Sequence, residues 1–431
     1  MSAPDLVAIL GFVALFAMML IRVPIGIAMA LVGIGGFAAI AGWSPALNLL
    51  AISPVRTVTD YNLSLIPMFI LMGVFATASG MSTELFRAGH AWLGRFRGGL
   101  ALATIGACGG FAAICGSSVA TAATMSNIAL PEMRRFGYRD DVATGVIAAG
   151  GTLGILIPPS VVLAVYAFIT EQDVGRLFIA GIVPGLLALA MYMATVRLAY
   201  GRTLPAGEPI GWPARLASLR GIWAVMLLFV LIVGGIYQGV VTPTEAAAAG
   251  AFLTGLIGVL RRRLDGAQIM ACLVEALRTT VAIFTILIGA LLFGYFLAIT
   301  QTPQKITSFL VALELGSYGT LALILVLFVL LGCVLDAMAM IILLVPIVFP
   351  VIQTLGFDPI WFGVIVVMTV ELGLITPPVG MNVFVINSIV PNISLITIFR
   401  GVAPFVLTDL VRLALLVAFP WLALFLPTTM R

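Results

Sequence analysis

The chain has 431 residues, 9% of them charged and 62% hydrophobic, with a mean hydropathy of +1.23. A soluble domain carries roughly 25% charged residues, so a soluble fold is excluded and almost every helix-length stretch reads as a membrane segment. The net charge of +4 is small and its basic residues lie in short loops beside apolar runs, which makes them topology signals and excludes a nucleic-acid partner.

In chain order, residues 1–22 hold an apolar run, Leu6 to Ile21, behind Asp5 rather than a basic leader, and predict a retained N-terminal scaffold helix. Residues 23–98 predict scaffold spans near 24–42 and 63–80 and a charged surface arm near 82–97, with the single histidine, His90, on its solvated face. Residues 99–176 predict two half-length segments, 99–115 and 118–133, meeting at CGSSVAT, then a segment near 142–169 broken at GILIPPS. Linking scaffold helices near 177–197 and 221–239 fill residues 177–241. Residues 242–317 predict spans near 243–260 and 279–300 and an arm near 303–314. Residues 318–393 predict half-segments 319–334 and 337–353 meeting at LDAMA and a broken segment near 360–390, and a helix near 402–426 closes residues 394–431. The four cysteines, Cys108, Cys115, Cys272 and Cys333, lack metal-ligand spacing and read as buried hydrophobes.

The two halves match at an offset of 219 residues (350 − 131), which aligns Pro24 with Pro243, Pro131 with Pro350, Gly137 with Gly356, Gly154 with Gly373 and Pro158-Pro159 with Pro377-Pro378. Segments of about 16 residues are short for ~30 Å of hydrocarbon, so each adjacent pair predicts a re-entrant hairpin. Five crossings separate Pro24 from Pro243, and an odd number places the second repeat upside down. With Arg22 cytoplasmic, this topology puts sixteen of the 21 basic residues, Arg202 among them, on that side. Arg56, Arg176, Lys305 and Arg431 fall opposite and Arg412 lies within a span, the bias expected of cytoplasmic loops, with the N-terminus periplasmic. The predicted fold is an all-α polytopic membrane protein with an inverted-topology repeat, two re-entrant hairpins and two broken helices.

Such repeats bind substrate and coupling ions at the repeat interface near the midplane. Ser117, Ser118, Thr121, Thr124 and Asn127 surround the first hairpin turn, where hydroxyls and freed carbonyls suit a hard cation, and Asp336 stands at the equivalent of Ser117. The breaks contribute Gly154, Pro158, Pro159 and Ser160 in one half, and Glu371, Gly373, Thr376, Pro377, Pro378, Gly380 and Asn382 in the other. Proline removes backbone donors, leaving carbonyls for an ion and helix N-termini for an anion; the pair of sites suits a carboxylate with Na⁺. Asp336 and Glu371 have an alternative reading as carboxyls paired with buried donors or kept protonated. Glu245 is expected to cap the helix it begins, and Asp409 with Arg412 to form an intramembrane ion pair.

The strings RVPIGIAMALVG (22–33), CGSSVATAATMSNIALPEM (115–133), AAGGTLGILIPPSVVLAVYA (148–167), FIAGIVPGLL (178–187), TPTEAAAAGA (242–251) and ELGLITPPVGMNVFVINSI (371–389) resemble the large membrane subunit of tripartite ATP-independent periplasmic (TRAP) transporters along essentially the whole chain. The resemblance implies an elevator-type ion transporter, Na⁺ coupling, a separate small membrane subunit, and a periplasmic binding protein delivering an organic acid at the bacterial inner membrane. Carried over by position, Ser117, Ser118, Thr121, Gly154 and Pro158 make one Na⁺ site, and Asp336, Thr376 and Pro377 its counterpart. Substrate contacts are expected from Ser117, Asn127, Pro159, Ser160, Glu371, Pro378, Gly380 and Asn382. Members with a fused small subunit are longer, so a partner chain is expected here. The alternative is a carboxylate transporter of related fold that needs no binding protein. A hydrolase is disfavoured because His90 stands far from Ser117 and no lysine lies in a span.

Overall fold

The computed structural model of the chain describes residues 3–430 except 202, 208, 209 and 391, and the sides expected for Arg202 and Arg431 lie outside the described residues. The first half contains α1 (Ala3–Leu20), α2 (Ile25–Ala41), α3 (Trp43–Thr59), α4 (Leu65–Ala78), α5 (Met81–Leu93), α6 (Gly99–Cys115), α7 (Ser118–Arg135), α8 (Asp140–Leu156), α9 (Val161–Thr170) and α10 (Val174–Thr195). Two helices, α11 (Trp212–Phe229) and α12 (Gly235–Tyr237), join the halves. The second contains α13 (Pro243–Leu260), α14 (Gly266–Ile299), α15 (Thr302–Ala312), α16 (Gly316–Gly332), α17 (Ala337–Thr354), α18 (Pro359–Ile375), α19 (Met381–Ile389), α20 (Leu395–Ala418) and α21 (Trp421–Thr429). Among the described residues, six helices are long and apolar enough to cross a membrane, or eight if two bent pairs each count as one span.

The repeat spacing is visible in the elements. Helices α17 and α18 begin and end 219 residues after α7 and α8, and both Pro-Pro bonds, Pro158-Pro159 and Pro377-Pro378, are cis. Each hairpin's second arm starts on a side-chain cap: Ser117 Oγ accepts from the Ala120 N–H at 3.3 Å, and Asp336 Oδ1 from the Met338 and Ala339 N–H groups at 2.9 and 3.1 Å. Such caps each contribute about 1 kcal/mol by satisfying donors a helix start leaves free. Thr242 and Glu245 form a reciprocal capping box at α13, as expected for Glu245.

Several boundaries depart from expectation. Residues 43–59 form a helix, α3, that was not anticipated; its polar residues and Pro54 weaken the hydropathy signal, and it meets the 62–78 stretch at a 61° bend. The span expected near 279–300 belongs to a 34-residue helix, because Asp265 and Gln268 cap its start at 266 in a second capping box. The C-terminal helix expected near 402–426 is two helices divided at Phe419-Pro420. His90 is half-buried between the rings of Phe86 and Phe136 rather than solvated. Burial holds its pKa below the ordinary value, against the opposing pull of Glu132.

Packing between the halves is reciprocal. Helix α2 lies on α14 and α13 on α4, while α7 meets α19 and α17 meets α9. Lipid is as apolar as leucine, so helices associate through close packing at small residues. Gly26 faces Gly289 and the Thr285 backbone so closely that a Cβ on either would strike main chain. The same holds for Gly145 and Gly401, where α8 crosses α20. Helices α10 and α20 pack along α8 and α18.

Gly401→Val is expected to destabilise the protein by about 1–3 kcal/mol through overpacking. Gly35→Ala, in a helix with nothing within 4 Å of the added methyl, is expected to be neutral or slightly stabilising. Thermal unfolding of the two variants checks the contrast.

Candidate functional site

Each hairpin tip rests on a helix break. A Cβ on Gly154 would lie 2.5 Å from the Ser117 carbonyl oxygen and 2.9 Å from Thr121 Oγ1, so α8 touches the start of α7 only because residue 154 has no side chain. Gly116 turns the first tip with φ +63°, and a Cβ there would meet the Pro159 carbonyl oxygen at 2.8 Å. In the second half, the Cys333 carbonyl accepts from the N–H groups of Val379 and Gly380 at 3.3 and 3.4 Å, and Gly332 abuts Gly373. In the second half the N–H groups freed at the break are thus answered by the tip, the condition for irregular backbone at membrane depth, and in the first half tip and break are in close backbone contact.

Both tips line one cavity of about 520 Å³. Ser117, Ser118 and Thr124 come from the first hairpin and Asp336 from the second, while Ile155, Val161, Leu374 and Met381 flank the two breaks. The opposite wall belongs to α4 and α14, including Thr77, Glu275 and Thr279. Two carboxylates and no lysine or arginine line it. A second, larger cavity of about 1020 Å³, lined by Arg56, Asp60, Glu171 and Asp173, touches neither tip and lies toward the other end of α13 and α14. The tip-lined cavity is the candidate site because the hydroxyls, the carboxylate and the broken backbones meet there.

The expected residues divide in three. Ser117, Ser118, Thr121, Gly154 and Asn382 come together: a Cβ on Gly151 would lie 3.2 Å from both Asn382 Nδ2 and the Ser118 carbonyl oxygen. Asn382 Nδ2 donates to the Ala148 carbonyl at 3.3 Å, and its buried Oδ1 has no partner among the described residues. Pro158 and Pro159 are buried at the first break, and Asp336, Thr376 and Gly380 stand at the second tip and break, where Pro377 and Pro378 are exposed. Ser160 is committed elsewhere, its hydroxyl capping α9 and donating to the Ile155 carbonyl. Asn127 lies three turns along α7, exposed and back-bonded to Ala123, and does not line the cavity. Glu371 points away from it too, to Arg412 at 2.9 Å in a buried group with Asp409, so the expected Asp409–Arg412 pair has a third member. Glu275 and Thr279 were missed, because a single acid in CLVEALRTT carries no motif.

Among the described residues no cluster of three or more His, Cys, Asp or Glu side chains forms a metal centre. The oxygens at the tips, hydroxyl, carbonyl and carboxylate, are hard donors of the kind that bind alkali and alkaline-earth cations rather than transition metals.

The profile of the family described as the tripartite ATP-independent periplasmic transporter, DctM component, matches residues 12–422. The chain belongs to that family. It is 40% identical to the C4-dicarboxylate TRAP transporter large permease protein DctM of Pseudomonas aeruginosa, over 92% of this chain and 93% of that one. It is 35% identical to the isethionate TRAP transporter permease protein DctMQ of Oleidesulfovibrio alaskensis, over 88% of this chain and 60% of that longer one. Among solved structures, the YdaH transporter of Alcanivorax borkumensis shares the fold, with a TM-score of 0.64 at 16% identity over 88% of this chain and 90% of that one. This TRAP large permease subunit is therefore a multi-span transporter component and not an enzyme, as the sequence led us to expect.

Gly154→Ala is expected to push the first tip off its break and lower uptake by about tenfold or more, equivalent to roughly 1.4 kcal/mol. Gly294→Ala, with nothing within 4 Å of the new methyl, is expected to leave uptake unchanged. Radiolabelled uptake into cells expressing each variant with its partner subunits checks both.

Proposed function

We propose that this chain is the large membrane subunit of a Na⁺-coupled uptake system for an organic acid in the bacterial inner membrane, working with a small membrane subunit and a periplasmic binding protein. The observation that carries this reading is the meeting of both hairpin tips and both breaks at one cavity that holds two carboxylates and no base. Ser117, Ser118, Thr121, Gly154 and Pro158 supply hydroxyl and carbonyl oxygens for one Na⁺, and Asp336, Thr376 and Pro377 for another. The cargo's carboxylate lies between them, where bound cations and the N-terminal ends of α7 and α17 offset its charge. Asn382 and Gly380, beside the second break, are further contacts in this reading. Both ligands named for the relatives, a C4-dicarboxylate and isethionate, are small organic anions, which supports an acid as cargo. Exposed apolar faces, including Trp43, Leu47 and Leu50 on α3 and Leu273, Val274 and Leu277 on α14, offer surface to lipid and to the small subunit.

In this reading the second half is inserted upside down and the N-terminus is periplasmic. The bent α3–α4 pair counts as one span, which keeps five crossings between Pro24 and Pro243. Transport is of the elevator type, with α2, α4, α13 and α14 as the frame. The packing of α10 and α20 along α8 and α18 favours moving these two helices from the frame to the mobile unit that contains the hairpins and broken helices. Glu275 and Thr279 lie in the part of α14 that follows Arg261, Arg262 and Arg263, so the tip-lined cavity opens toward the arginine-rich, cytoplasmic end.

Two measurements test this. Na⁺, and not K⁺ at equal ionic strength, is expected to raise thermal stability by about 2.7 kcal/mol at a hundred times its Kd. Asp336→Asn, which keeps a capping side chain but removes the charge, is expected to abolish most of that rise; equal stabilisation by the two cations would reject Na⁺ coupling. In a cysteine-free background, Ser117→Cys is expected to react with an impermeant maleimide from the cytoplasmic face in inside-out vesicles. Protection by Na⁺ with substrate would place the reagent in the site, and labelling only from the periplasmic face would reverse the assigned orientation.

A further inference from the structure

Away from both cavities, four helices bring a set of ionisable groups together. Thr152 on α8, Tyr192 on α10, Glu371 on α18 and Asp409 and Arg412 on α20 are each at most 1% exposed, and none lines either cavity described above. Arg412 Nη2 lies 2.9 Å from Glu371 Oε2 and 2.9 Å from Asp409 Oδ1. The Tyr192 hydroxyl is 2.8 Å from each Asp409 oxygen and 3.0 Å from Thr152 Oγ1, and the guanidinium sits over the Tyr192 ring at 5.5 Å. Thr152 and Glu371 hold equivalent places in the two halves, one turn or so before each break.

The charge count does not close. A guanidinium stays ionised in proteins, so two ionised carboxylates against it leave one negative charge with no access to water. An uncompensated charge at such depth is strongly disfavoured, and ionisable groups there neutralise instead. The two carboxyls are not equivalent hosts for a proton. Asp409 receives the Tyr192 hydroxyl as well as Arg412. Glu371 has Arg412 on one oxygen, and its buried Oε1 has no partner among the described residues. Asp409, Arg412 and Tyr192 are the ionisable groups that face Glu371; α8 offers the Thr152 hydroxyl, and α9, α16, α17, α19 and α21 bring no charged side chain to it. We propose that Glu371 is a proton-binding site whose carboxyl holds a resident proton at neutral pH, leaving Arg412 and Asp409 as the charged pair. The proton belongs to the body that joins the two broken helices to α10 and α20, and the assignment does not rest on Na⁺ coupling or on the elevator reading.

The test uses the purified full chain in lipid nanodiscs. Glutamine is the neutral near-isostere of a protonated glutamate, so Glu371→Gln is expected to leave the Tm within measurement error of the wild type. In an Asp409→Asn background Glu371 becomes the sole counter-ion of Arg412 and ionises, so the same Glu371→Gln change is expected to lower the Tm sharply there. Infrared spectra at neutral pH are expected to show a protonated-carboxyl C=O component in the wild type that Glu371→Gln removes. A Tm loss from Glu371→Gln as large in the wild type as in Asp409→Asn, or a carboxyl component that survives Glu371→Gln unchanged, would overturn the assignment. If the double variant does not fold, the infrared comparison of wild type with Glu371→Gln decides it alone.

Discussion

A backbone that leaves the helix ladder inside a membrane must find its partners in the protein, since hydrocarbon supplies none. Here that constraint is met in the second half by docking the hairpin tip on the broken helix, and in the first by a side chain within the break. The Cys333 carbonyl receives the second break's Val379 and Gly380 N–H groups, and the Ser160 hydroxyl both caps α9 and answers the Ile155 carbonyl freed at the first break. Gly116, Gly154, Gly332 and Gly373 are the positions where this docking brings backbone against backbone. The candidate site is a consequence: oxygens that cannot all be satisfied within one helix are gathered at the point where two such docked pairs face each other.

The helices around the site are held by proximity rather than by water exclusion, which has little meaning against lipid tails. Gly26 with Gly289 and Gly145 with Gly401 allow contacts closer than any side chain permits. The first contact joins α2 to α14 and the second joins α8 to α20 beside the breaks. The tip-lined cavity lies between α4 and α14 on one side and the tips and breaks on the other.

Charge is distributed to match. Surface pairs such as Arg134 with Asp140 and Arg261 with Glu84 tie loops and arms together at 2.7 Å and remain partly exposed, where such pairs contribute little to stability. The buried group of Thr152, Tyr192, Glu371, Asp409 and Arg412 links four helices instead, and the candidate cavity keeps two carboxylates with no base. Acidic side chains are therefore used in two ways, within a buried internal network and on the wall of a cavity.

Composition, the 219-residue spacing and the paired prolines were enough to predict the membrane class, the paired half-length helices and the two breaks, because helix-breaking residues act locally and leave their mark at fixed positions; the family came from the resemblance of six longer strings. Ser117, Asp336 and Gly154 could be placed at a tip or a break for the same reason, while the capping by Ser117 and Asp336 was shown only by the structure. What the chain alone could not convey was which side chains share a space. Glu275 comes to the tips from α14, more than 60 residues from Asp336, and Glu371 turns to Arg412 rather than to the cavity because a helix places successive side chains on different faces. The placement of α10 and α20 beside the broken helices likewise depends on contacts between segments far apart in the chain, which only the packed structure decides.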